Sequence, residues 1–283
     1  MRRCHGRAVR GANNEVAQPT NPLSVSLRLS LSVSLLARGR LRAMRFDGAI
    51  APTPRAALPP LPGGQYLKLD APGLVKGLGG KLWPSSAALC RWLRNEQLQG
   101  KSVFELGCGC GAVGLYAAAL GASNVMLTDG GGDALLETTA GNMGRNHRLL
   151  TNSEVSVKSH SWGERDVKLP PRIDYVLGAD VTYSRQSHKQ LCKSIRWLVD
   201  ERSPRVVLAH EHRMLRDAAS ESETEDVGLV HFCEMALASR LQVAMICTEA
   251  QDGTVSEPVT DAEWTDHLLV RGASISLLEI TPT

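Results

Sequence analysis

Several features that define familiar protein classes are missing from this sequence. No stretch approaches 18 uninterrupted apolar residues, so the sequence predicts no membrane-spanning helix and no membrane partner. The seven cysteines are odd in number and scattered, and none belongs to a Cys-x-x-Cys pair. We therefore expect reduced thiols in an intracellular protein, without a disulfide framework or a zinc site.

Aromatic residues are also scarce, at 4% of the chain. No basic stripe with interleaved aromatic residues is present, which argues against a nucleic-acid partner. The hydrophobic fraction of 43% is nonetheless ordinary for a globular protein and sufficient for a sizeable core. A chain of 283 residues can hold one large α/β domain or two small ones.

Lysine is absent from the first 45 residues, which contain nine arginines and a single acidic residue, Glu15. This segment accounts for the net charge of +3, because residues 46–283 hold 23 basic and 28 acidic residues, a net charge of −5. A mildly acidic domain suits a basic protein substrate better than a nucleic acid.

The N-terminal 45 residues differ from the rest in pattern as well as in charge. Residues 23–36 alternate apolar residues with serine or arginine in an acid-poor context, a composition typical of an organellar transit peptide. An over-extended start is the alternative, since Met44 would serve as a natural N-terminus. We expect a disordered or transit-like extension over 1–45, a Pro/Gly-rich linker over 46–65 and one domain over 66–283. The expected location is the cytoplasm, or an organelle if the extension is a transit peptide.

Beyond the linker, apolar segments of strand and helix length alternate. Strands are predicted at 103–106, 124–129, 155–160, 173–179, 205–210 and 243–248, and helices at 85–97, 112–120, 134–145, 186–200 and 227–240. A last strand pair near 266–279 includes Leu268–Val270 and Ile275–Leu278. This alternation predicts an α/β fold with a doubly wound, mostly parallel sheet, helices on both faces and an antiparallel hairpin at one edge.

The first strand–helix turn of this pattern is the glycine-rich loop Gly107–Gly111. A doubly wound sheet binds its ligand at the carboxyl ends of its strands, and glycines let the backbone approach that ligand closely. The loop alone leaves three readings open. Gly109, Gly111 and Gly114 also fit the dinucleotide pattern, with Asp129 as a ribose-binding acid, and a glycine-rich turn without any ligand is the third reading.

Two carboxylates beside the loop favour adenosylmethionine over a dinucleotide. Glu105 lies inside the first strand, where a purely structural strand prefers an apolar residue, and it can face a cationic ligand or accept from the loop amides. Asp129 ends the second strand, where its two oxygens can accept from both ribose hydroxyls. Adenosylmethionine has a cationic end and no pyrophosphate, which suits an acid at each of these positions.

Five ordered stretches between residues 66 and 280 complete a recognisable pattern: Gly80–Ser86, Glu105–Gly111, Leu127–Asp129, Ser161–Glu164 and Gly178–Tyr183. Each stretch is a weak motif, but their order and spacing are specific. In these stretches the chain resembles the class I, seven-strand methyltransferases, and more narrowly the methyltransferase-like protein-lysine methyltransferases called family sixteen. The resemblance implies a Rossmann-like sheet of seven strands and S-adenosyl-L-methionine as the cofactor.

The resemblance also implies where the cofactor lies. Trp83 would border its methionine end, Asp129 would hold the ribose hydroxyls, and the loop residues Gly107, Cys108 and Gly109 would line the amino-acid and ribose region. Glu105, two residues before the loop, is a further candidate cofactor-binding residue.

Two further positions carry over to the other side of the cofactor. Trp162 would pack beside the adenine, although a core aromatic that covers a strand end is the structural alternative. Ala179 would lie under the sulfonium region. The three glycines at 130–132 depart from the family pattern and predict a more mobile loop on the adenine side.

The acceptor end is predicted at Asp180–Tyr183, which closes the fourth strand. In the family this Asp-x-x-Tyr element contacts the substrate lysine, so Asp180 and Tyr183 are the candidate catalytic residues. An amine attacks only when neutral, and lysine is mostly protonated at pH 7, so the site must bind the ammonium and orient the amine after it loses a proton. Asp180 can orient the amine by hydrogen bonding, and Tyr183 can offer a ring face or hydroxyl. A capping role after a strand is the alternative for Asp180.

Sequence differences also narrow the acceptor. Enzymes that methylate adenine N6 or a glutamine amide place two prolines after the acidic or amide residue here, and this chain has none. Close relatives often have an aromatic-rich stretch after strand five, where this chain has an acidic run over 221–226 that we expect to be a loop.

The segment His210–Arg213 at the end of strand five raises the question of a metal. Two histidines that alternate on a strand share one face, but the sequence offers no evident third ligand, so we expect no metal site. Arg213 fits the arginine that related enzymes often carry after this strand.

The leading hypothesis is an S-adenosylmethionine-dependent protein-lysine N-methyltransferase that acts as a monomer on a non-histone protein. By resemblance, the substrate would be a chaperone, an ATPase or a translation factor. Two alternatives stay open: a methyltransferase acting on histidine or a small molecule, and a catalytically silent cofactor-binding module.

Overall fold

A computed structural model describes residues 57–73, 77–213, 226–250, 255–256 and 273–283. The predicted extension over 1–45, the predicted strand Leu268–Val270 and most of the acidic run lie outside the described residues. None of the helices within the described ranges is both long and apolar enough to cross a membrane.

Eight strands and five helices alternate along the described residues. The strands are β1 (Ser102–Leu106), β2 (Asn124–Asp129), β3 (Glu154–Ser159), β4 (Tyr175–Ala179), β5 (Arg205–Glu211), β6 (Leu241–Ala250), β7 (Val255–Ser256) and β8 (Ala273–Pro282). The helices are α1 (Pro84–Leu93), α2 (Ala112–Ala119), α3 (Asp133–Arg145), α4 (His188–Arg202) and α5 (Val227–Ala238). Short 3₁₀ turns lie at Leu78–Gly80, His147–Leu149 and Arg185–Ser187.

All eight strands join one sheet in the order β3-β2-β1-β4-β5-β8-β6-β7. The pairs β3–β2, β2–β1, β1–β4 and β4–β5 are parallel, and strand order reverses at β1, where β2 leaves to one side and β4 to the other. This confirms the predicted doubly wound, mostly parallel sheet. A reversal point of this kind opens a crevice at the carboxyl ends of β1 and β4.

The antiparallel edge is confirmed, but its partners differ from the expected ones. We expected a hairpin between two strands near 266–279, whereas β8 pairs antiparallel with both β5 and β6. The last strand therefore inserts between two strands that precede it in the chain. The two-residue strand β7 is an addition to the seven strands that the resemblance implied, and it pairs with β6 at the edge.

Two apolar clusters cover the two faces of the sheet. One includes Leu89, Tyr116 and Leu127, and the other includes Phe104, Ile195 and Phe232. All five residues of β1 are buried, as expected for a central parallel strand with helices on both sides. The sheet thereby forms a fixed base for the loops at its carboxyl edge.

Part of the predicted linker packs on this core. Leu61 is buried among the first cluster, and the Tyr116 hydroxyl donates a hydrogen bond of 3.0 Å to the Pro60 carbonyl. The segment remains non-helical, as its prolines require.

Candidate active site

The glycine loop between β1 and α2 has no room for side chains at its key positions. Gly107 and Gly109 have φ angles of 63° and 53°, in the left-handed region that favours glycine. A Cβ at Gly107 would lie 2.8 Å from Val181 Cγ1 and 3.0 Å from Trp162 Cζ2. The structure thus brings the loop, the turn after β3 and the turn after β4 into direct contact.

Asp129 holds two loops together at the end of β2. Its Oδ2 accepts from the Gly109 amide at 2.9 Å, and its Oδ1 accepts from the Gly131 amide at 2.7 Å. Each carboxylate oxygen can accept more than one hydrogen bond, so capacity for ribose hydroxyls remains. The side chain is half-buried, in the position that the sequence analysis assigned to it.

Glu105 contacts the first turn of α2. Its Oε2 accepts from the Gly114 amide at 2.8 Å, and the residue is fully buried. Burial raises the pKa of Glu105 to about 8, against the lowering effect of that hydrogen bond. Of the two roles considered from sequence, the structure displays a hydrogen bond to an amide, in the first turn of the helix that follows the loop.

Two other predicted cofactor residues, Cys108 and Ala179, lie on the loop and on the adjacent strand. Cys108 is buried, and its amide donates to the Thr128 carbonyl at 2.9 Å. Burial raises the pKa of its thiol well above the usual value, so the thiol stays protonated. Ala179 is the last residue of β4, half-buried and opposite Ala209 of β5. All six cysteines of the described residues are free.

Trp83 precedes α1, and Pro84 occupies the first helical position as predicted. The indole Nε1 donates to the Leu78 carbonyl at 3.1 Å, and the Lys81 ammonium lies 4.4 Å from the ring centroid. The 3₁₀ turn Leu78–Gly80, which accepts this hydrogen bond from Trp83, touches the glycine loop, because a Cβ at Gly109 would lie 2.7 Å from the Gly79 carbonyl oxygen.

The turn that carries Trp162 is fixed by a network, buried at His160 and Ser194 and exposed at Asp166, that the sequence did not reveal. His160 Nδ1 lies 2.6 Å from Asp166 Oδ1, and its Nε2 lies 3.2 Å from Ser194 Oγ. Ser194 also accepts from the Gly163 amide at 2.9 Å. The order Asp-His-Ser matches that of a nucleophilic triad, but the Ser194 hydroxyl lies within α4 and is already engaged by both His160 and the Gly163 amide. The network positions the Trp162 turn.

Asp180 immediately follows β4 and adopts a left-handed backbone conformation. It has a φ of 55°, unusual for a residue with a side chain, and its amide donates to the Ala209 carbonyl at 2.8 Å. The carboxylate is 5% exposed, and its Oδ2 accepts from Arg213 Nη2 at 2.6 Å. Its Oδ1 is buried and has no hydrogen-bond partner among the described residues.

The environments of Asp180 and Tyr183 differ in exposure. Burial raises the pKa of Asp180, and the adjacent Arg213 guanidinium opposes that rise. Tyr183 is 45% exposed; partial burial raises the pKa of its hydroxyl, and the nearby carboxylates of Asp129 and Asp180 raise it further. An exposed ring three residues after a buried acceptor that lacks a donor among the described residues is suited to a long side chain that enters from solvent.

The structure places a third candidate ligand beside His210 and His212 that was not evident from the sequence. Asp226 lies beside them, with its Oδ2 at 2.8 Å from His210 Nε2 and 3.1 Å from His212 Nδ1, and the three ligand atoms lie within 4.8 Å of one another. Asp226 follows 14 residues after His212, as the last residue of the predicted acidic loop, so spacing along the strand did not reveal it. Each of these side chains already has hydrogen-bond partners, because His210 Nδ1 contacts the Thr182 hydroxyl at 2.6 Å and His212 Nε2 contacts the Ser276 hydroxyl at 2.7 Å.

Comparison with known proteins places this geometry in context. A family model described as lysine methyltransferase matches residues 65–225. The chain is 33% identical over 143 residues to the protein N-lysine methyltransferase METTL21A of Xenopus tropicalis, covering 50% of this chain and 64% of the relative. It is 32% identical over 128 residues to the EEF1A lysine methyltransferase 3 of the same organism, covering 44% and 55%.

A bacterial methyltransferase named for a different substrate also matches. The ribosomal protein L11 methyltransferase of Legionella pneumophila (strain Corby) is 32% identical over 176 residues, covering 60% of this chain and 58% of the relative. The chain therefore spans less than two thirds of the length of each of these curated relatives.

Proposed function

The chain belongs to the lysine methyltransferase family, and from that premise we propose that it transfers a methyl group from S-adenosylmethionine to a lysine side-chain amine of a protein. The observation that carries the proposal is Asp180 Oδ1, which is buried just after β4, near the exposed Tyr183, and has no partner within the part of the chain that the structure describes. A buried acceptor without a donor is costly, and a substrate N–H would satisfy it.

The donor set at the carboxyl edge fits the proposed cofactor. Bound adenosylmethionine would supply the methyl group and a sulfonium leaving group. Asp129 offers acceptor capacity for ribose hydroxyls, and Trp162 presents an aromatic ring against Gly107. We propose that the same cofactor is also lined by Trp83, Cys108, Gly109 and Ala179. Glu105 stabilises the loop indirectly, because it accepts a hydrogen bond from the Gly114 amide.

At the acceptor end, the proposed role of Asp180 is alignment. Its Oδ1 accepts from the substrate nitrogen, while Arg213 holds Oδ2 and thereby fixes the direction of the free oxygen. Tyr183 flanks the aliphatic stem of the lysine. In-line displacement at carbon depends strongly on the orientation of the nucleophile, so a fixed acceptor contributes directly to rate.

We propose a protein as the substrate, in keeping with the family. The relative whose name includes EEF1A makes a translation factor the first candidate, and the net charge of −5 over residues 46–283 favours a basic surface on the substrate. We propose that the protein acts on that substrate as a monomer.

The decisive experiment combines labelled cofactor with one substitution. Incubation of a proteome with the purified protein and labelled S-adenosylmethionine, followed by mass spectrometry, should give a methylated lysine. Asp180→Asn should reduce that transfer at least a hundredfold and leave the dissociation constant of the cofactor within a few-fold. Asn tolerates the left-handed backbone at this position, so the fold is retained.

The matched control is Asp200→Ala, which removes an exposed carboxylate from α4. It should leave transfer unchanged. Full-rate methylation by the Asp180→Asn protein would contradict the role assigned to Asp180, and labelled histidine or a labelled small molecule would identify a different acceptor. Cofactor binding by calorimetry without transfer to any acceptor would favour a silent cofactor-binding module, and tight NAD binding would favour a dinucleotide enzyme.

We further propose a cytoplasmic location, supported by cysteines that are scattered along the sequence and free throughout the described residues. Fluorescent fusions of the full chain and of a chain starting at Met44 should both stay in the cytoplasm. Import of the full-length fusion alone into an organelle would show that residues 1–45 act as a transit peptide.

A further inference from the structure

Asp226 lies at the centre of a buried network beside the proposed acceptor site. It precedes α5 and is 1% exposed, and its Oδ1 accepts from the Leu229 amide at 3.0 Å as a helix cap. Its Oδ2 accepts from His210 at 2.8 Å, from His212 at 3.1 Å and from the Arg213 amide at 3.2 Å. Although burial opposes ionisation, these hydrogen bonds hold the pKa of Asp226 well below its usual value, so the carboxylate only accepts.

The tautomer of His210 follows from that accepting role. His210 Nε2 must carry the proton that it donates to Asp226, and burial lowers the pKa of His210, which keeps the ring neutral. Its Nδ1 therefore has a lone pair and accepts from the Thr182 hydroxyl at 2.6 Å. The Thr182 carbonyl is held in turn by His188 Nε2 at 2.9 Å.

Asp226 is thus connected to Asp180 through two sets of intervening residues. Through His210 it fixes Thr182, two residues after Asp180, and through its backbone contact it fixes Arg213, whose guanidinium holds Asp180 Oδ2. Asp180 has a left-handed φ of 55° and a buried oxygen to which no described residue donates, a costly conformation that persists only when its surroundings impose it.

We propose that Asp226 and His210 are positioning residues that hold Asp180 in its strained conformation and so keep its Oδ1 open to the substrate nitrogen. This inference rests on the proposed methyl transfer. Neither residue contacts the reacting atoms, and each acts through Thr182 or Arg213. No ion is required, since every ring nitrogen in the network has a protein partner.

The test uses two substitutions at opposite ends of the network. Asp226→Asn keeps the size and the helix-capping oxygen but replaces the oxygen that accepts from His210 and Arg213. Thr182→Val keeps the shape and removes the hydroxyl. Each should lower kcat for methyl transfer at least tenfold, with the cofactor dissociation constant unchanged within threefold, whereas Thr182→Ser should restore kcat to within twofold of the original.

Two controls separate positioning from general loss of stability. Ser153→Ala removes a hydroxyl that donates to the Ala118 carbonyl at 3.0 Å, far along the chain from the acceptor turn, and should leave kcat unchanged. Crystal structures of the original chain and the Thr182→Val variant give a readout that needs no turnover. In the variant, the Asp180–Arg213 contact should lengthen from 2.6 Å to beyond 3.5 Å.

The outcomes divide cleanly. A Thr182→Val protein with kcat within twofold of the original, or with Asp180 unmoved in the crystal, overturns the proposal, as does one equivalent of tightly bound zinc that His212→Ala removes. If the original chain methylates no lysine, the proposed function fails. The crystallographic comparison then still decides whether the network holds Asp180.

Discussion

Gly107 is the residue at which backbone conformation and packing constrain the site together. Its φ of 63° strains any residue with a side chain, and a Cβ would meet Val181 and Trp162 at 2.8 and 3.0 Å. We expect Gly107→Ala to lower the free energy of unfolding by about 1–3 kcal/mol and to weaken cofactor binding. Urea unfolding and calorimetry measure the two effects.

The control for this substitution is Gly144→Ala in α3, where no atom lies within 4 Å of the added Cβ. It should raise stability by about 0.5–1 kcal/mol, because alanine is favoured over glycine inside a helix. Equal effects of the two substitutions would show that the close approach at Gly107 has no energetic consequence.

Glu105 gives the fold a pH dependence of known sign. Because burial raises its pKa from 4.5 to about 8, the folded state favours the protonated form. The contribution of Glu105 to stability is therefore largest below pH 4.5 and is lost as the pH rises toward 8, by roughly 1.4 kcal/mol per unit of pKa change at most. Glu105→Gln, which stays neutral, should have a higher Tm than the original chain at pH 8 and a similar Tm at pH 5.

Glu137→Gln on the exposed face of α3 removes a charge of the same sign and should show no such difference between the two pH values. A Glu105→Gln protein that is less stable than the original at pH 8 would mean that the ionised carboxylate is favoured in the fold.

At the scale of elements, α4 determines where the turn after β3 lies. Ser194 joins His160 to the Gly163 amide, and this holds the segment that carries Trp162. Removing the hydroxyl in Ser194→Ala should raise the KM for the cofactor several-fold and leave kcat at saturating cofactor unchanged, because the acceptor turn is not involved. Steady-state kinetics at fixed substrate measure both constants, and Ser153→Ala again serves as the control. A fall in kcat with an unchanged KM would place the network with the acceptor instead.

The elements themselves follow closely from the sequence where apolar periodicity is strong. Strand β2 was predicted over 124–129 and lies at Asn124–Asp129, and α5 was predicted over 227–240 and lies at Val227–Ala238. The pairing of β8 with both β5 and β6 was not predicted, because hydrophobic pattern indicates a strand but not its neighbours.

The site was predictable in its positions but less so in its contacts. Asp129 was placed correctly at the end of β2, yet its contacts with Gly109 and Gly131 depend on how two loops fold against each other. Asp226 was assigned to a solvated loop, although it is buried against His210. A carboxylate in an acidic run is ordinarily expected at the protein surface. Only the tertiary fold brings Asp226 next to β5.

For the whole molecule, the two halves of the sheet hold different parts of the candidate site. The β1–β2 side fixes the glycine loop through Asp129, and the β4–β5 side fixes Asp180 through Arg213 and Asp226. The two sides meet at Gly107, which packs against Trp162 and Val181. Substitutions on the first side should therefore change cofactor affinity, and substitutions on the second should change the rate of transfer.

The predicted division between the N-terminal extension and the domain makes a prediction for the chain as a whole. The described residues belong to one compact unit, and Leu61 near its beginning is buried in the core. A protein that starts at Met44 should therefore unfold at the Tm of the full chain and bind the cofactor with the same affinity, as differential scanning calorimetry and titration calorimetry would show.

A protein that starts at residue 66 loses Leu61 and the Pro60 carbonyl that Tyr116 contacts, and its Tm should fall. Burial of a leucine side chain contributes about 1.5–3 kcal/mol, so the fall should amount to several degrees. If the protein starting at Met44 were also destabilised, residues before it would contribute to the folded core, and the division between extension and domain would have to move toward the N-terminus.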